Sequence, residues 1–275
     1  MLVCYYVLKM ILCLKNIVYL QTNMEYKVIH ISETDSTNGY FREIPCHSDA
    51  NIVIVAEYQS AGKGCGSNTW ESERGKNLTF SVLLHPTEIR ASWQFRISEA
   101  VSVALCETLE RYFRTFSPSD SSPDSGEQEV SIKWPNDIYV GDRKICGILI
   151  ENRLKGSTIT DSIVGIGLNV NQREFQSDAP NPVSIYQLTG EETDREALLE
   201  TFLRELPKAF EMEPEALAEA YRSRLYRREG MHRFQDGQGE FEAKVLNVLD
   251  DGRLVLLDAE GTARMYAFKE VQFVI

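Results

Sequence analysis

Short apolar runs separated by polar punctuation mark the chain from about residue 26 onward, and their periods predict its elements. Residues 26–31 alternate apolar and polar, the period of a half-buried strand. Residues 51–56 (Asn-Ile-Val-Ile-Val-Ala) form a short unbroken apolar run, which suits a buried strand, and residues 77–84 read as another. Between them lies a glycine-rich loop, 61–67. Residues 93–116 repeat apolar side chains at helical spacing and predict the first long helix. A strand then leads into Lys133. Residues 144–151 and 162–170 predict further strands, and 196–210 and 214–228 predict helices. From Phe241 the character changes. Short β-rich segments (241–248, 253–258, 263–268) are separated by Asp-Gly and Glu-Gly turns, which predicts a small separate β-barrel. Strands and helices mixed without a regular βαβ repeat predict an α+β main domain. The expected division is therefore an extension at 1–23, a main domain at 24–230 and a small barrel at 231–275.

Residues 2–20 are largely apolar, but Lys9 and Lys15 interrupt them. A lysine at mid-bilayer costs about 2.5–3.5 kcal/mol on insertion scales, so this is a poor membrane span. It also lacks a small-residue cleavage site. Met24 stands just before the first well-formed strand, and the working protein is expected to begin near it, with a membrane-associated N-terminus as the alternative. Residues 117–129 are polar, acidic and proline-bearing and are expected to form a mobile surface loop. Lys plus Arg number 29 against 41 Asp plus Glu, a net charge of -12. That balance argues against a general nucleic-acid binder, which needs a basic face to displace counterions. The six cysteines are scattered without a CxxC pair, so no zinc or redox motif follows, and the pattern suits a reducing cytoplasm.

The densest chemistry lies in Ser131-Ile132-Lys133-Trp134-Pro135-Asn136-Asp137-Ile138, followed by Lys144 at the head of an apolar run. Two cations, a carboxylate and an amide on a loop pinned by strands suit a nucleoside triphosphate with its metal. Gly62-Lys63-Gly64-Cys65-Gly66 offers amides and one cation with little bulk, so it can wrap phosphates. It lacks the spacing and the closing Lys-Ser/Thr of a Walker loop, and taken singly it reads first as a flexible surface turn. Trp70 follows this loop, either as core or as a cover for a nucleobase. Gly165-Ile166-Gly167-Leu168-Asn169 places two glycines inside a strand, where a bulge or the close approach of a ligand would require them. Ser36, Thr37 and Asn38 suit a helix cap or the holding of a polar head. The four histidines show no ligand spacing, and no nucleophile has an evident base, which argues against a covalent hydrolase.

Taken in order, these segments resemble the biotin–protein ligases, the biotin–acetyl-CoA-carboxylase ligases. The resemblance rests on residues 33–38 (Glu-Thr-Asp-Ser-Thr-Asn), 57–64 (Glu-Tyr-Gln-Ser-Ala-Gly-Lys-Gly), 133–137, 143–151 and 165–171, and it runs from about Tyr26 to the C-terminus. It implies a catalytic domain like those of class II aminoacyl-tRNA synthetases, a mixed sheet with flanking helices, followed by a small SH3-like barrel. It also implies the activity: biotin and ATP give biotinyl-5'-AMP, and biotin then passes to one lysine of a biotin carboxyl carrier domain. On that resemblance Ser36, Thr37, Asn38 and Gln59 correspond to the residues that hold the biotin head. Lys63, Gly64 and Cys65 correspond to the loop that folds over biotin and the adenylate. Gly147 and Gly165 line the biotin slot. Trp70, Lys133, Asn136, Gly167 and Asn169 correspond to the ATP site. Lys144 corresponds to the lysine at the reacting carboxylate and α-phosphate, assisted by Lys63. Asp137 is the expected magnesium ligand and the expected base for the acceptor amine, with Glu151 as the alternative metal ligand.

Two departures matter. The family's loop commonly carries arginines where Lys63 and Cys65-Gly66-Ser67 stand here, so a point charge replaces a fork and a looser phosphate grip is expected. Too little chain precedes Tyr26 for the helix-turn-helix that some relatives carry, so a ligase without repressor function is expected. Lipoate ligases and octanoyl transferases are the nearest rivals, but their Arg-Arg-x-Ser-Gly-Gly-Gly segment is absent. A non-catalytic biotin or nucleotide sensor is the rival from another class. The expected partners are a carboxylase's carrier domain and, through edge-to-edge sheets, a weak second copy; neither nucleic acid nor membrane is expected.

Overall fold

A computed structural model describes residues 17–20, 24–43, 50–66, 68–115, 129–177 and 180–275. Its elements begin with β1 (Ile17–Leu20), β2 (Glu25–Ile31), α1 (Thr37–Glu43), β3 (Asn51–Ala56) and β4 (Leu78–Leu84). There follow α2 (Phe95–Arg114), β5 (Val130–Lys133), β6 (Asp137–Val140), β7 (Arg143–Lys155) and β8 (Thr158–Leu168). The chain continues through α3 (Ile185–Thr189), α4 (Arg195–Glu211) and α5 (Pro214–Ser223). It ends with β9 (His232–Asp236), β10 (Gly239–Val248), β11 (Leu254–Asp258), β12 (Ala263–Tyr266) and β13 (Val271–Phe273). Most of the expected 1–23 extension, all but Glu129 of the expected surface loop, and Ser67 lie outside the described residues. Two compact units emerge, one from residues 1–88, 146–179 and 184–199, the other from 89–145, 180–183 and 200–275.

In the first unit the strands lie in the order β1-β2-β3-β4-β8-β7. β2 and β3 run parallel, whereas β4 runs antiparallel to both β3 and β8. β4 is buried at every position, as an apolar run without alternation demands. Helix α1 drops Phe41 onto Ile52, Ile54, Leu83 and Ile163, with Ile29, Ile31 and Tyr40 closing the cluster. The β7–β8 hairpin extends further than the apolar pattern predicts, because its outer residues are polar and partly exposed. Gly156, at φ +63°, makes the turn.

In the second unit α2 and α5 meet through Phe95 and Tyr221, whose rings stand edge to face with centroids 5.4 Å apart. The helix expected at 214–228 stops at Ser223. The chain beyond it pairs with β5 instead: the Ile132 amide donates to the Arg224 carbonyl at 2.7 Å, and the Tyr226 amide donates to the Ile132 carbonyl at 2.9 Å. The C-terminal strands form an antiparallel sheet in the order β12-β11-β10-β9-β13, with Phe234, Phe241, Tyr266 and Phe273 packed ring against ring. β9 and β13 were not anticipated, since each buries only one residue fully. Nor was β6, hidden within the densest motif, or α3, a single turn held by a Ser184–Gln187 capping box. The architecture is thus α+β: a mixed sheet with flanking helices, plus a C-terminal antiparallel sheet. Among the described residues no helix is long and apolar enough to cross a membrane.

Candidate active site

The first unit gathers a polar cluster where α1 begins. The Thr37 amide donates to Gln59 Oε1 at 2.7 Å, and the Thr37 hydroxyl stands 3.0 Å from the same oxygen. A remote side chain therefore satisfies this helix start, rather than a local cap. Ser81 Oγ lies 2.6 Å from Thr37 Oγ1 and 2.6 Å from Asn38 Oδ1. Asn38 Nδ2 donates to the Leu149 carbonyl at 3.2 Å and to Glu151 Oε2 at 2.9 Å. Glu151 Oε1 in turn accepts from Arg42 at 2.5 Å. Ser36, Thr37, Asn38 and Ser81 are all buried, so this is a packed polar floor within an apolar sheet.

The two glycines of β8 stand on one face, two residues apart. A Cβ on Gly165 would fall 2.4 Å from Asn38 Oδ1, and one on Gly167 would fall 2.4 Å from both Cε2 and Nε1 of Trp70. Gly165 pairs with Ser81 and Leu149, and Gly167 pairs with Thr79 and Gly147. The space above each glycine is thus occupied by a side chain that sequence reasoning had assigned to binding. The glycine-rich loop folds back on itself: the Gly64 amide donates to the Asn68 carbonyl at 2.8 Å, and the Trp70 amide to Gly62 at 2.9 Å. Lys63 is exposed on this turn, opposite Thr69, and Cys65 is half-buried. Behind Trp70, Glu71 accepts from the amides of Gln176 and Ser177, and Gln172 bridges Glu71 and Asn77. Those bonds hold the Glu71 carboxyl below its ordinary range against the opposing effect of burial. Asn169 is 2% exposed, and its carbonyl accepts the Ile185 amide.

In the second unit β5 and β6 pair Lys133 with Asp137 across the Trp134-Pro135-Asn136 turn, whose Trp134–Pro135 bond is cis. Trp134 Nε1 donates to the Gly252 carbonyl at 2.9 Å, and the Tyr221 hydroxyl donates to the Pro135 carbonyl at 2.6 Å. The turn is therefore braced from α5 and from the β10–β11 connection. Asp137 Oδ2 receives Lys144 Nζ at 2.6 Å, with the two side chains 31% and 28% exposed. The backbone of Lys144 is held on both sides, its amide by Asn181 and its carbonyl by Val183. Lys133 takes a different course. Its ammonium donates to the Tyr139 hydroxyl at 3.2 Å and lies against the rings of Tyr139 and Phe273. Burial lowers its pKa; Asp137 opposes that shift, while Lys144 and Arg227 add to it. Asn136 is half-buried in the turn.

The structure thus brings Thr37, Asn38, Gln59 and Gly165 together, seats Trp70 on Gly167, and joins Lys144 to Asp137. Lys133 faces aromatic rings. Ser81 escaped the sequence reading, yet a lone serine inside the apolar run of β4 was a signal, since a buried hydroxyl requires partners. Glu151, expected as an alternative metal ligand, spends its carboxylate on Asn38 and Arg42. A surface depression of about 850 Å³ lies on the C-terminal sheet, lined by Met231, Lys244 and Leu246 among others. It contains none of the predicted site residues.

Comparison with known proteins adds three observations. Residues 31–169 match the model of the biotin/lipoate A/B protein ligase family. The bifunctional ligase/repressor BirA of Escherichia coli is 32% identical over 67% of this chain, and the biotin–[acetyl-CoA-carboxylase] ligase of Mycobacterium tuberculosis is 26% identical over 64% of it. The chain spans 54% of the E. coli protein and 61% of the mycobacterial one. A solved biotin protein ligase from Aquifex aeolicus, in complex with biotin and ATP, superposes with a TM-score of 0.69 at 26% identity, covering 90% of this chain and 99% of that one.

Proposed function

The chain belongs to the biotin/lipoate A/B protein ligase family, and from that premise we propose that it is an ATP-dependent biotin–protein ligase, with residues 24–230 as its catalytic domain and 231–275 as a small accessory module. The carboxylate of biotin attacks the α-phosphate of ATP, pyrophosphate leaves, and biotinyl-5'-AMP results. The ε-amine of a lysine on a carboxylase's carrier domain then attacks the mixed anhydride, AMP leaves, and an amide bond forms. The observation that carries this reading is the Lys144–Asp137 pair, an ammonium anchored beside the Asn136 turn with its backbone held at both ends.

Two anionic reactants repel one another, and a preorganised cation stabilises the charge that develops between them. Lys144 supplies that cation, and exposed Lys63 adds a second on a loop that can close. The Thr37, Asn38 and Gln59 cluster, with Gly147 and Gly165 beside it, takes the polar biotin head. Trp70 on Gly167 covers the adenine, with Asn136 and Asn169 reading its edge. The aromatic seat of Lys133 supports a bracing role for that side chain beside the nucleotide rather than a roving contact.

Among the described residues no group of three or more His, Cys, Asp or Glu side chains could hold a metal. Magnesium commonly uses one or two carboxylates and completes its shell with waters and phosphate oxygens, and Asp137 fits that habit. Such an ion would supply charge neutralisation at the phosphates. The Asp137 carboxylate is also our candidate acceptor of the proton that leaves the attacking amine. Cys65, Cys106 and Cys146 are free thiols, in keeping with a cytoplasmic enzyme.

Purified protein with ATP, magnesium, biotin and a carrier domain should add one biotin mass to the carrier. Lys144→Ala should slow that addition by about 10²–10³-fold, the scale of losing one preorganised charge-stabilising group. Undiminished addition by the variant would defeat the mechanism. No biotin-dependent ATP–pyrophosphate exchange by the parent protein would favour a non-catalytic sensor.

A further inference from the structure

Trp70 stands between two unlike attachments in the first unit. Ahead of it, the glycine-rich loop reaches it through the Trp70 amide, which donates to the Gly62 carbonyl at 2.9 Å. Behind it stands a frame of side chains. The Glu71 carboxylate accepts from Gln172 Nε2 at 3.1 Å, from the Gln176 amide at 2.9 Å and from the Ser177 amide at 2.7 Å. Gln172 is 1% exposed, and both ends of its amide are used. Its Oε1 accepts from the Glu73 amide at 3.0 Å and from Asn77 Nδ2 at 2.6 Å, and its Nε2 also donates to the Glu174 carbonyl at 2.9 Å. Asn77, equally buried, accepts the Val170 amide at 3.0 Å.

The donors in this frame point only one way. The Val170 amide fixes the Asn77 oxygen, so the Asn77 NH2 faces Gln172. Gln172 Nε2 faces a carboxylate and a carbonyl, both pure acceptors, so its oxygen is turned to Asn77 and the Glu73 amide. The run starts at backbone just past β8, passes through two buried amides and ends on a charge that only accepts. Burial would raise the Glu71 carboxyl, yet the donors of Ser177, Gln176 and Gln172 hold it below its ordinary range. A buried network satisfied in this way is rigid. It sets the backbone just after the indole, and through Val170 it grips the strand that carries Gly167, against which the indole packs. We propose that Glu71 and Gln172 are positioning residues for the nucleotide: they hold Trp70 against Gly167, so that the base meets a platform already built and the glycine-rich loop can move without carrying the indole with it. The inference deepens the proposed function and rests on it, because it takes Trp70 as the cover of the adenine. Both residues act through Trp70.

Biotin-dependent ATP–pyrophosphate exchange, with each substrate varied in turn, tests this together with a spectroscopic readout of the indole. Glu71→Gln keeps the shape but turns an NH2 toward donors that need an acceptor. It should raise the KM for ATP about tenfold, the scale of one unmade hydrogen bond to a charged group, and leave the KM for biotin within about twofold. Gln172→Glu keeps the acceptor that Asn77 and the Glu73 amide need but sets a carboxylate oxygen against Glu71. It should raise the KM for ATP likewise and again spare biotin. Glu73→Gln removes a like charge two positions on, from a residue that serves the frame through its amide, and should leave both constants within about twofold. Fluorotryptophan labelling gives one fluorine resonance for each of the three tryptophans, and Trp70→Phe identifies that of Trp70. In the ligand-free protein Glu71→Gln should shift or broaden the Trp70 resonance and leave those of Trp93 and Trp134 in place. An unmoved Trp70 resonance, or ATP and biotin constants that rise together, would overturn the proposal. So would matching losses for Glu71→Gln and Glu73→Gln, which would reduce the effect to lost charge. A parent protein that catalyses no exchange defeats the functional reading itself and this inference with it; exchange by the parent with an unchanged ATP constant in Glu71→Gln defeats this inference alone.

Discussion

Adding one methyl group at either glycine of β8 should damage one substrate's binding and spare the other's. The two positions share a face, yet each supports a different side chain. A Cβ at Gly165 would lie 2.4 Å from Asn38 Oδ1 and 3.0 Å from its Cγ; at Gly167 it would lie 2.4 Å from the indole of Trp70. Both 2.4 Å approaches are far inside van der Waals contact, so something must move. Overpacking of this kind costs about 1–3 kcal/mol. Asn38 cannot shift without straining bonds to Ser81, Leu149 and Glu151, each worth on the order of 1 kcal/mol. Taken as a loss of binding, about 1–3 kcal/mol is roughly 5–150-fold in a dissociation constant. Gly165→Ala should therefore raise the KM for biotin by that range and leave the KM for ATP nearly unchanged. Gly167→Ala should do the reverse. Biotin-dependent ATP–pyrophosphate exchange, with each substrate varied in turn, reads both. If either variant moved the two constants equally, or moved neither, the assignment of Asn38 and Trp70 to separate subsites would be wrong.

Tyr221→Phe removes the donor from the Pro135 carbonyl, so it should cost about 1–3 kcal/mol in thermal unfolding and raise the KM for ATP more than that for biotin; an unchanged melt would refute the bracing role. Glu99 concerns stability. Burial pushes its carboxyl up to about 7, opposed by Arg222, reinforced by Asp250, opposed by Arg96 and reinforced by Glu215. A folded value above the ordinary 4.5 means that the folded protein holds the proton longer, so this stabilisation is complete below about 4.5 and is lost as pH climbs through 7. Glu99→Gln should melt with the parent near pH 4.5 and exceed it by on the order of 3 kcal/mol above pH 8; a constant gap across that range would contradict the argument. Lys63→Arg restores a fork where the chain has a point charge, so trapped adenylate should escape more slowly than from the parent, and equal release rates would show that the loop cation does not grip it.

The apolar periods disclosed the main sheet, both long helices and the C-terminal β region, because burial alone dictates those patterns. They missed β9, β13 and α3, whose few buried side chains leave little periodic trace, and β6, whose buried residues form a run too short to show a period. The site was legible in parts for a different reason. Lys144 and Asp137 stand seven positions apart on adjacent strands, so one motif carried both. Glycines inside a strand announced a close approach to the backbone but not what approaches; the occupants proved to be Asn38 and Trp70. Ser81 and Glu151 lie 43 and 113 positions from Asn38, and no local pattern reports contacts at that separation.

The two residue groups to which the proposed function assigns the chemistry are held in opposite ways, and the difference matches the task proposed for each. Asn38 is 3% exposed and fixed by Ser81, Leu149 and Glu151, so its carboxamide has one arrangement. On the proposed function, recognition of a small head group would draw on that rigidity, since a floor able to reverse its donors would accept either pattern. Lys144 and Asp137 remain nearly a third exposed, where a pair of this kind adds only about 0–1 kcal/mol to stability. A bond that weak is readily given up. On the proposed function, Asp137 would turn to a metal or to an incoming proton, and Lys144 to phosphate oxygens, at little cost to the fold. A buried pair in the same position would have been held by the expense of stripping water from whichever charge was left behind.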